Sequence, residues 1–239
     1  MSRISYLNKI NASLDIKKNY LQYILFFPFI KKNKKKFVKN FRESLKDKCF
    51  TYEFFSQNSY DWNRILTSFK NREFKYMEIG SFEGNSALFI LNNFSHAKLT
   101  CVDPWIHLYE DFDLFSKDFK NSDKTIPEKN FDKNLLPFFE RYKKYKMRSN
   151  NFFITNKDSF DIIYVDGSHL AKDVLNDCLS SWKILNNNGI MIMDDYFFQY
   201  PDQNDNPGPA INKFLKTISK KFEILKLTKH QLFIKKINN

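Results

Sequence analysis

The chain predicts an α/β fold: a doubly wound, mostly parallel seven-stranded sheet closed by an antiparallel hairpin, with a basic, helical N-terminal arm. Three observations carry this. From about residue 59, short apolar runs alternate with stretches of helical spacing, the pattern of strands joined by crossover helices. Several runs end in glycine or an acid, as in Tyr76-Met77-Glu78-Ile79-Gly80, Tyr164-Val165-Asp166-Gly167 and Ile192-Met193-Asp194-Asp195. The last two runs, Phe222–Leu227 and Gln231–Lys235, flank a tight turn and read as a hairpin.

The elements follow in order. Asp61–Phe69 has helical apolar spacing. Phe74–Ile79 reads as the first strand, Asn85–Phe94 as a helix and Lys98–Asp103 as the second strand. Pro104–Asn130 has no clear period. A helix over Phe131–Tyr145 and a short third strand at Tyr145–Met147 come next, then a helical turn at Ser149–Asn156. Phe160–Asp166 is the fourth strand, Ala171–Leu185 a helix and Gly189–Asp194 the fifth strand. The loop Pro201–Pro209 leads to a helix over Ala210–Lys221.

The 239 residues suffice for one sizeable domain plus an extension. A hydrophobic content of 42% excludes a wholly disordered chain. The three cysteines are widely spaced with no Cys-x-x-Cys pair, against a zinc ribbon or disulfide framework. They fit a reducing, cytoplasmic compartment. The net charge of +12 is uneven: residues 1–48 carry +10 and the remainder +2. The charge thus belongs to an arm over 1–50 and not to the domain over 51–239, which argues against a nucleic-acid binder on charge alone. Within the arm, the apolar run Tyr20–Ile30 is about half of the roughly 20 residues that span a bilayer. The basic cluster Lys31–Lys36 follows that run, opposite to the order in a secretory signal. A helix packed over the domain, a peripheral contact with an anionic membrane surface, and a nucleic-acid or partner contact all fit the arm. Self-association stays open.

Open α/β sheets bind ligands at the carboxyl ends of their strands. There, Glu78-x-Gly80-x-x-x-Gly84 is neither the dinucleotide fingerprint nor a P-loop. Its glycines still suit a strand-to-helix turn that approaches a ligand closely. Asp103, ending the next strand, is placed to accept hydrogen bonds from a ribose diol. Asp166, Asp194 and Asp195 end adjacent strands and form an oxygen-only set suited to Mg²⁺. His169, three residues after Asp166, is placed to act as a general base. An iron site wants two histidines and a carboxylate, and His96, His107 and His230 lie in segments that do not converge with His169 by sequence.

These motifs in this order, together with Val102-Asp103-Pro104-Trp105 and Asp166-Gly167-Ser168-His169, resemble the class I S-adenosylmethionine-dependent methyltransferases of Rossmann-like fold. More narrowly, they resemble the branch containing macrocin-type sugar O-methyltransferases. The resemblance covers roughly residues 50–236. It implies that Glu78, Gly80, Ser81 and Gly84 hold the methionine end of the cofactor, Asp103 its ribose, and Ser149 its adenine. It implies Mg²⁺ on Asp166, Asp194 and Asp195, His169 as base beside Asp166, and a small acceptor such as a sugar or glycan hydroxyl. Two alternatives stand beside it. One is a nucleic-acid methyltransferase guided by the arm, although Asp166-Gly-Ser-His169 stands where base-methylating enzymes carry Asn/Asp-Pro-Pro-Tyr. The other is a non-catalytic binding protein on the same fold.

Overall fold

The computed structural model describes residues 1–106, 123, 125–199 and 205–237. Its centre is a seven-stranded sheet in the order β3-β2-β1-β4-β5-β7-β6. The strands are β1 (Phe74–Ile79), β2 (Ala97–Asp103), β3 (Tyr142–Lys146), β4 (Phe160–Val165), β5 (Leu185–Met193), β6 (Phe222–Leu227) and β7 (Leu232–Lys236). The first five pair in parallel, while β7 runs antiparallel to both β5 and β6. The chain order reverses between β1 and β4. That switch point opens a crevice at the carboxyl edge.

β1 and β4 are almost wholly buried, as strands covered by helices on both faces must be. Alternate residues divide between two cores. Met77, Ile79, Ile163, Val165, Met191 and Met193 face one. Tyr76, Ile162, Tyr164, Ile190 and Ile192 face the other. The first face is covered by α6 (Ser149–Thr155), α7 (Ala171–Ile184) and α8 (Pro207–Thr217), the second by α3 (Ser59–Ile65), α4 (Asn85–Asn93) and α5 (Ile126–Leu135).

The arm forms α1 (Arg3–Lys9) and the 30-residue α2 (Leu14–Glu43). The hydroxyls of Ser2 and Ser13 accept hydrogen bonds from first-turn amides of the two helices, satisfying donors that a helix start leaves unpaired. Tyr6, Leu7, Ile16, Tyr20 and Tyr23 enter the first core. Phe41, near the far end of α2, enters the second. The helix therefore straps past the sheet edge at β6 and shields a strand that would otherwise present unpaired backbone. Leu227 donates its amide to Asn19 Oδ1 at 2.6 Å. The buried Asp61 of α3 accepts from Lys34 of α2 and Lys226 of β6, both at 2.6 Å. Of the expectations for the arm, packing over the domain is what these contacts describe.

Several element boundaries differ from the sequence expectation: β5, expected over Gly189–Asp194, already begins at Leu185, and the helix expected over Asp61–Phe69 is α3 followed by a separate 3₁₀ turn over Thr67–Phe69. The helix expected over Phe131–Tyr145 begins earlier, at Ile126, and ends at Leu135. Pro137 lies in the short 3₁₀ segment that follows and cannot donate to a continuing helix. Residues 142–146 become β3 instead. Lys144 within it pairs with Glu128 at 2.8 Å and Asp132 at 2.7 Å, so a lysine-rich run is tolerated at the sheet edge. The last long helix starts at Pro207, not Ala210, since Pro207 sits in the first turn where no amide donor is needed. It stops at Thr217; Lys220 has φ 65° in the turn beyond.

Candidate active site

The carboxyl edge holds three strained turns. Phe82 after β1, Trp105 after β2 and Asp195 after β5 have φ of 44°, 47° and 53°. Left-handed backbone at non-glycine residues collects where a site constrains the chain. Gly80 has φ 87°, and a Cβ there would lie 1.9 Å from the Asp166 carbonyl oxygen. The ends of β1 and β4 touch at that point. The glycine is thus required by chain-to-chain approach, which adds to the reason the sequence suggested. Gly84, φ 82°, is the left-handed start of α4 and packs on Leu135 and Phe131. Gly80→Ala should cost on the order of 3 kcal/mol of stability, read as a lower denaturation midpoint. An unchanged midpoint would mean that the turn relaxes freely.

Glu78 is fully buried. Its Oε2 accepts from Tyr76 Oη and Ser86 Oγ, each at 2.8 Å. Its Oε1 and the buried hydroxyl of Ser81 make no hydrogen bond of full geometry among the described residues, although Ser81 and Cys101 lie close enough to steady the carboxylate. Buried polar atoms are rarely left so. Burial pushes the Glu78 carboxyl up to about 6, against the hydrogen bonds that hold it down. Asp103 accepts from the amides of Phe82 (2.9 Å) and Trp105 (2.6 Å). It clamps two of the strained turns together, and each oxygen keeps a lone pair for a ligand. Ser149 opens α6 and donates to Asp177 Oδ1 at 2.6 Å. Burial raises the Asp177 carboxyl to about 7 despite that bond.

The acidic cluster lies beyond the Gly80–Asp166 contact. Asp166 follows β4, and Asp194 and Asp195 follow β5. Tyr164 Oη lies 2.6 Å from Asp166 Oδ2 and also contacts Asp194 Oδ2. A phenol has one proton to donate, so it cannot satisfy two ionised carboxylates. Burial first, then the charges of Asp194 and Asp195, raises the Asp166 carboxyl well above its ordinary range. Burial and Asp195 push Asp194 up to about 6. Gln231 Nε2 donates to Asp194 Oδ2 at 2.7 Å, and Trp62 Nε1 holds Gln231 Oε1 at 2.8 Å. Asp194 Oδ1 accepts from the Asp195 amide at 2.7 Å.

His169 Nε2 lies 2.5 Å from Asp195 Oδ2, and its ring packs on Phe198 with centroids 4.9 Å apart. Burial lowers the imidazole pKa, the hydrogen bond and charge of Asp195 raise it, and the net shift is upward. Asp166, His169 and Asp195 each offer a ligand atom, all within 4.8 Å of one another. The donors that converge thus include His169, while the oxygens of Asp194 are engaged by Tyr164, Gln231 and its neighbour's amide. His230 is nearer than its sequence position suggested: its carbonyl accepts from the Tyr196 amide at 2.9 Å. His107 lies outside the described residues, as do 108–122 and 124 of the aperiodic stretch Pro104–Asn130 and 201–204 of the loop after β5.

Sequence reasoning missed Tyr164 and Gln231. Tyr164 had a signal, since it stands two residues before Asp166 on the same strand and so on the same face. Gln231 had none, because the hairpin had to fold back on β5 to bring it near.

A family model described as a methyltransferase domain matches residues 77–196, or 120 of the 239 residues. Among curated proteins, the chain is 25% identical over 174 residues to uncharacterized protein R132 of Acanthamoeba polyphaga mimivirus, over 67% of this chain and 71% of that one. Among solved structures, it is similar to the O-methyltransferase TomG from Streptomyces achromogenes, described in complex with SAM. The TM-score is 0.56 at 11% identity, over 95% of this chain and 100% of that one. It is also similar to MycE methyltransferase of the mycinamycin biosynthetic pathway, described in complex with Mg, SAH and mycinamycin VI. There the TM-score is 0.54 at 14% identity, over 78% of this chain and 51% of that one. At such identities structural likeness speaks to the fold, and the family match speaks to the chemistry. The chain belongs to the methyltransferase-domain family, as a class I S-adenosylmethionine-dependent methyltransferase.

Proposed function

We propose that the protein is a Mg²⁺-assisted O-methyltransferase acting on a hydroxyl of a small acceptor, most simply a sugar or glycan. One observation carries the reading: the contact of Gly80 with Asp166 sets the Glu78–Asp103 crevice directly beside the Asp166–His169–Asp195 cluster. A methyl donor in the first would face a hydroxyl at the second. Methyl transfer is an in-line displacement, so the protein supplies positioning and deprotonation.

In this proposal Glu78 Oε1 and the Ser81 hydroxyl receive the polar methionine end of the cofactor, with Gly80 and Gly84 shaping the turn around it. Asp103 receives the ribose diol, and Ser149, held by Asp177, stands at the adenine end. Asp166, Asp194 and Asp195 hold the cation, Asp194 through Oδ1, which keeps a lone pair beside the Asp195 amide; three half-buried, mutually repelling carboxylates support the fit. When bound, Mg²⁺ would orient the acceptor hydroxyl and lower its pKa. His169 takes the hydroxyl proton at Nδ1, while its Nε2 donates to Asp195, which stabilises the imidazolium that forms. MycE, described in complex with Mg and mycinamycin VI, supports a cation beside a small acceptor by analogy only.

The test is methyl transfer from labelled S-adenosylmethionine to a panel of sugars with Mg²⁺ present, with the label located on oxygen by mass spectrometry. Label found on nitrogen or on nucleic acid would sink the reading. For the cofactor half, Asp103→Ala should weaken S-adenosylhomocysteine binding by about 1–3 kcal/mol, measured by calorimetry. It should also lower the melting temperature, because two turn amides lose their acceptor. Wild-type affinity in the variant would remove Asp103 from the cofactor site.

A further inference from the structure

Helix α2 has two apolar faces. The inner one, including Ile16, Tyr20, Tyr23 and Phe41, is buried against the domain. The outer one is not. Leu14, Leu21, Leu25 and Phe29 are 65%, 50%, 61% and 79% exposed. Lys18 lies on the same stripe, and Lys32 and Lys36 continue it, because the steps from 14 through 18, 21, 25, 29 and 32 to 36 are all three or four residues. Phe26, 64% exposed, and Ile24, 38% exposed, widen the centre. The stripe is thus apolar in its middle and basic towards both ends. No helix among the described residues is long and apolar enough to cross a membrane.

We propose that this outer face of α2 docks the protein on an anionic lipid bilayer. Leucine and phenylalanine side chains would enter the boundary between headgroups and acyl chains, with the lysines on lipid phosphates. Charge selects this occupant. Residues 1–48 carry +10 while the rest of the chain carries +2, so an anionic surface attracts this face above others. A second copy would set lysines against lysines around an apolar centre only about 12 Å long from Leu21 to Phe29. A nucleic acid would leave Leu25 and Phe29 in water. A bilayer takes both chemistries at once. The docked arm also reaches the site: Tyr6 and Tyr20 pack on Phe197, with ring centroids 5.9 and 4.9 Å apart, two residues past Asp195. The docking itself does not depend on the proposed reaction.

The experiment uses the full chain and sedimentation with phosphatidylcholine vesicles, with or without phosphatidylglycerol. The protein should bind the anionic vesicles at low ionic strength, bind neutral ones poorly, and be released as salt is added. Leu25→Glu with Phe29→Glu should weaken binding at least tenfold. Lys32→Gln and Lys36→Gln should each weaken it roughly fivefold. Both residue pairs are exposed, so S-adenosylhomocysteine affinity and melting temperature should stay at wild-type values. Absence of binding to anionic vesicles, or equal binding by the Leu25→Glu/Phe29→Glu variant, would overturn the proposal. A dimer by light scattering that this variant abolishes, with no vesicle binding, would assign the face to a second copy and overturn it equally. No turnover is measured, so failure here leaves the proposed reaction standing, and the reverse.

Discussion

Replacing His169 with alanine should lower kcat by about two to four orders of magnitude, the usual contribution of a positioned base. The loss should far exceed any change in cofactor affinity, because His169 stands with the acidic cluster and not among the Glu78 and Asp103 groups. The pH profile distinguishes a base from a packing residue. Burial lowers the pKa of His169, Asp195 raises it more, and the net position is above the ordinary imidazole value. A base works in its neutral form. Wild-type kcat should therefore climb with pH through the imidazole range, and the variant should lose that limb. The same shift gives a stability signature. A histidine whose folded pKa is raised contributes stability that is full below its unfolded pKa and fades as pH rises through the folded one. The variant should lack that increment at acidic pH. If His169 is instead a metal ligand, as its place among the converging donors allows, the variant will show a large rise in the Mg²⁺ concentration needed for half activity. A variant with an unchanged limb would assign deprotonation elsewhere.

The parts of this molecule legible in its sequence are those governed by local pattern. β1 and β6 fall where their apolar runs predict, and the acids at strand ends lie at the carboxyl edge because parallel strands all point the same way. Two helix boundaries moved at prolines, where Pro137 follows a helix expected to run to Tyr145 and Pro207 opens one inside an expected loop, whereas β5 began early at Leu185 with no proline near. The electrostatics of the site were less legible. That Tyr164 bridges two carboxylates follows from side-chain alternation, but that Gln231 and Trp62 support Asp194 needs contacts between residues 169 apart in sequence. The arm was ambiguous because one helix carries both a core-facing and an outward apolar stripe. Composition sees their sum.

Removing divalent cations should abolish turnover, and Mg²⁺ should restore it. S-adenosylhomocysteine binding should survive chelation, since Glu78 and Asp103 serve it and the acidic cluster does not. The physical case rests on charge. Asp166, Asp194 and Asp195 crowd one strand edge, all half-buried, and the first two share a single phenol proton from Tyr164. Without a cation, protons must relieve the repulsion, which is why burial and neighbouring carboxylates raise Asp166 well above its ordinary range and Asp194 to about 6. An acid whose folded pKa is raised contributes stability by staying protonated; that contribution fades as pH rises through the folded pKa. The metal-free protein should therefore lose melting temperature as pH climbs above about 4, the ordinary aspartate value, with the Asp194 share of that loss complete near 6. A cation supplies the missing positive charge. Mg²⁺ should consequently raise the melting temperature little at acidic pH, where protons compete for the same oxygens, and progressively more above neutrality. The His169 imidazole itself should titrate lower with Mg²⁺ bound than without it, followed by NMR, because a cation beside an imidazole disfavours its protonated form. Asp166→Asn should remove both the activation and the pH-dependent stabilisation while leaving cofactor affinity within a few fold. Full turnover in excess chelator, with a melting temperature indifferent to Mg²⁺ at every pH, would leave the three carboxylates with a structural role and the deprotonation to His169 alone.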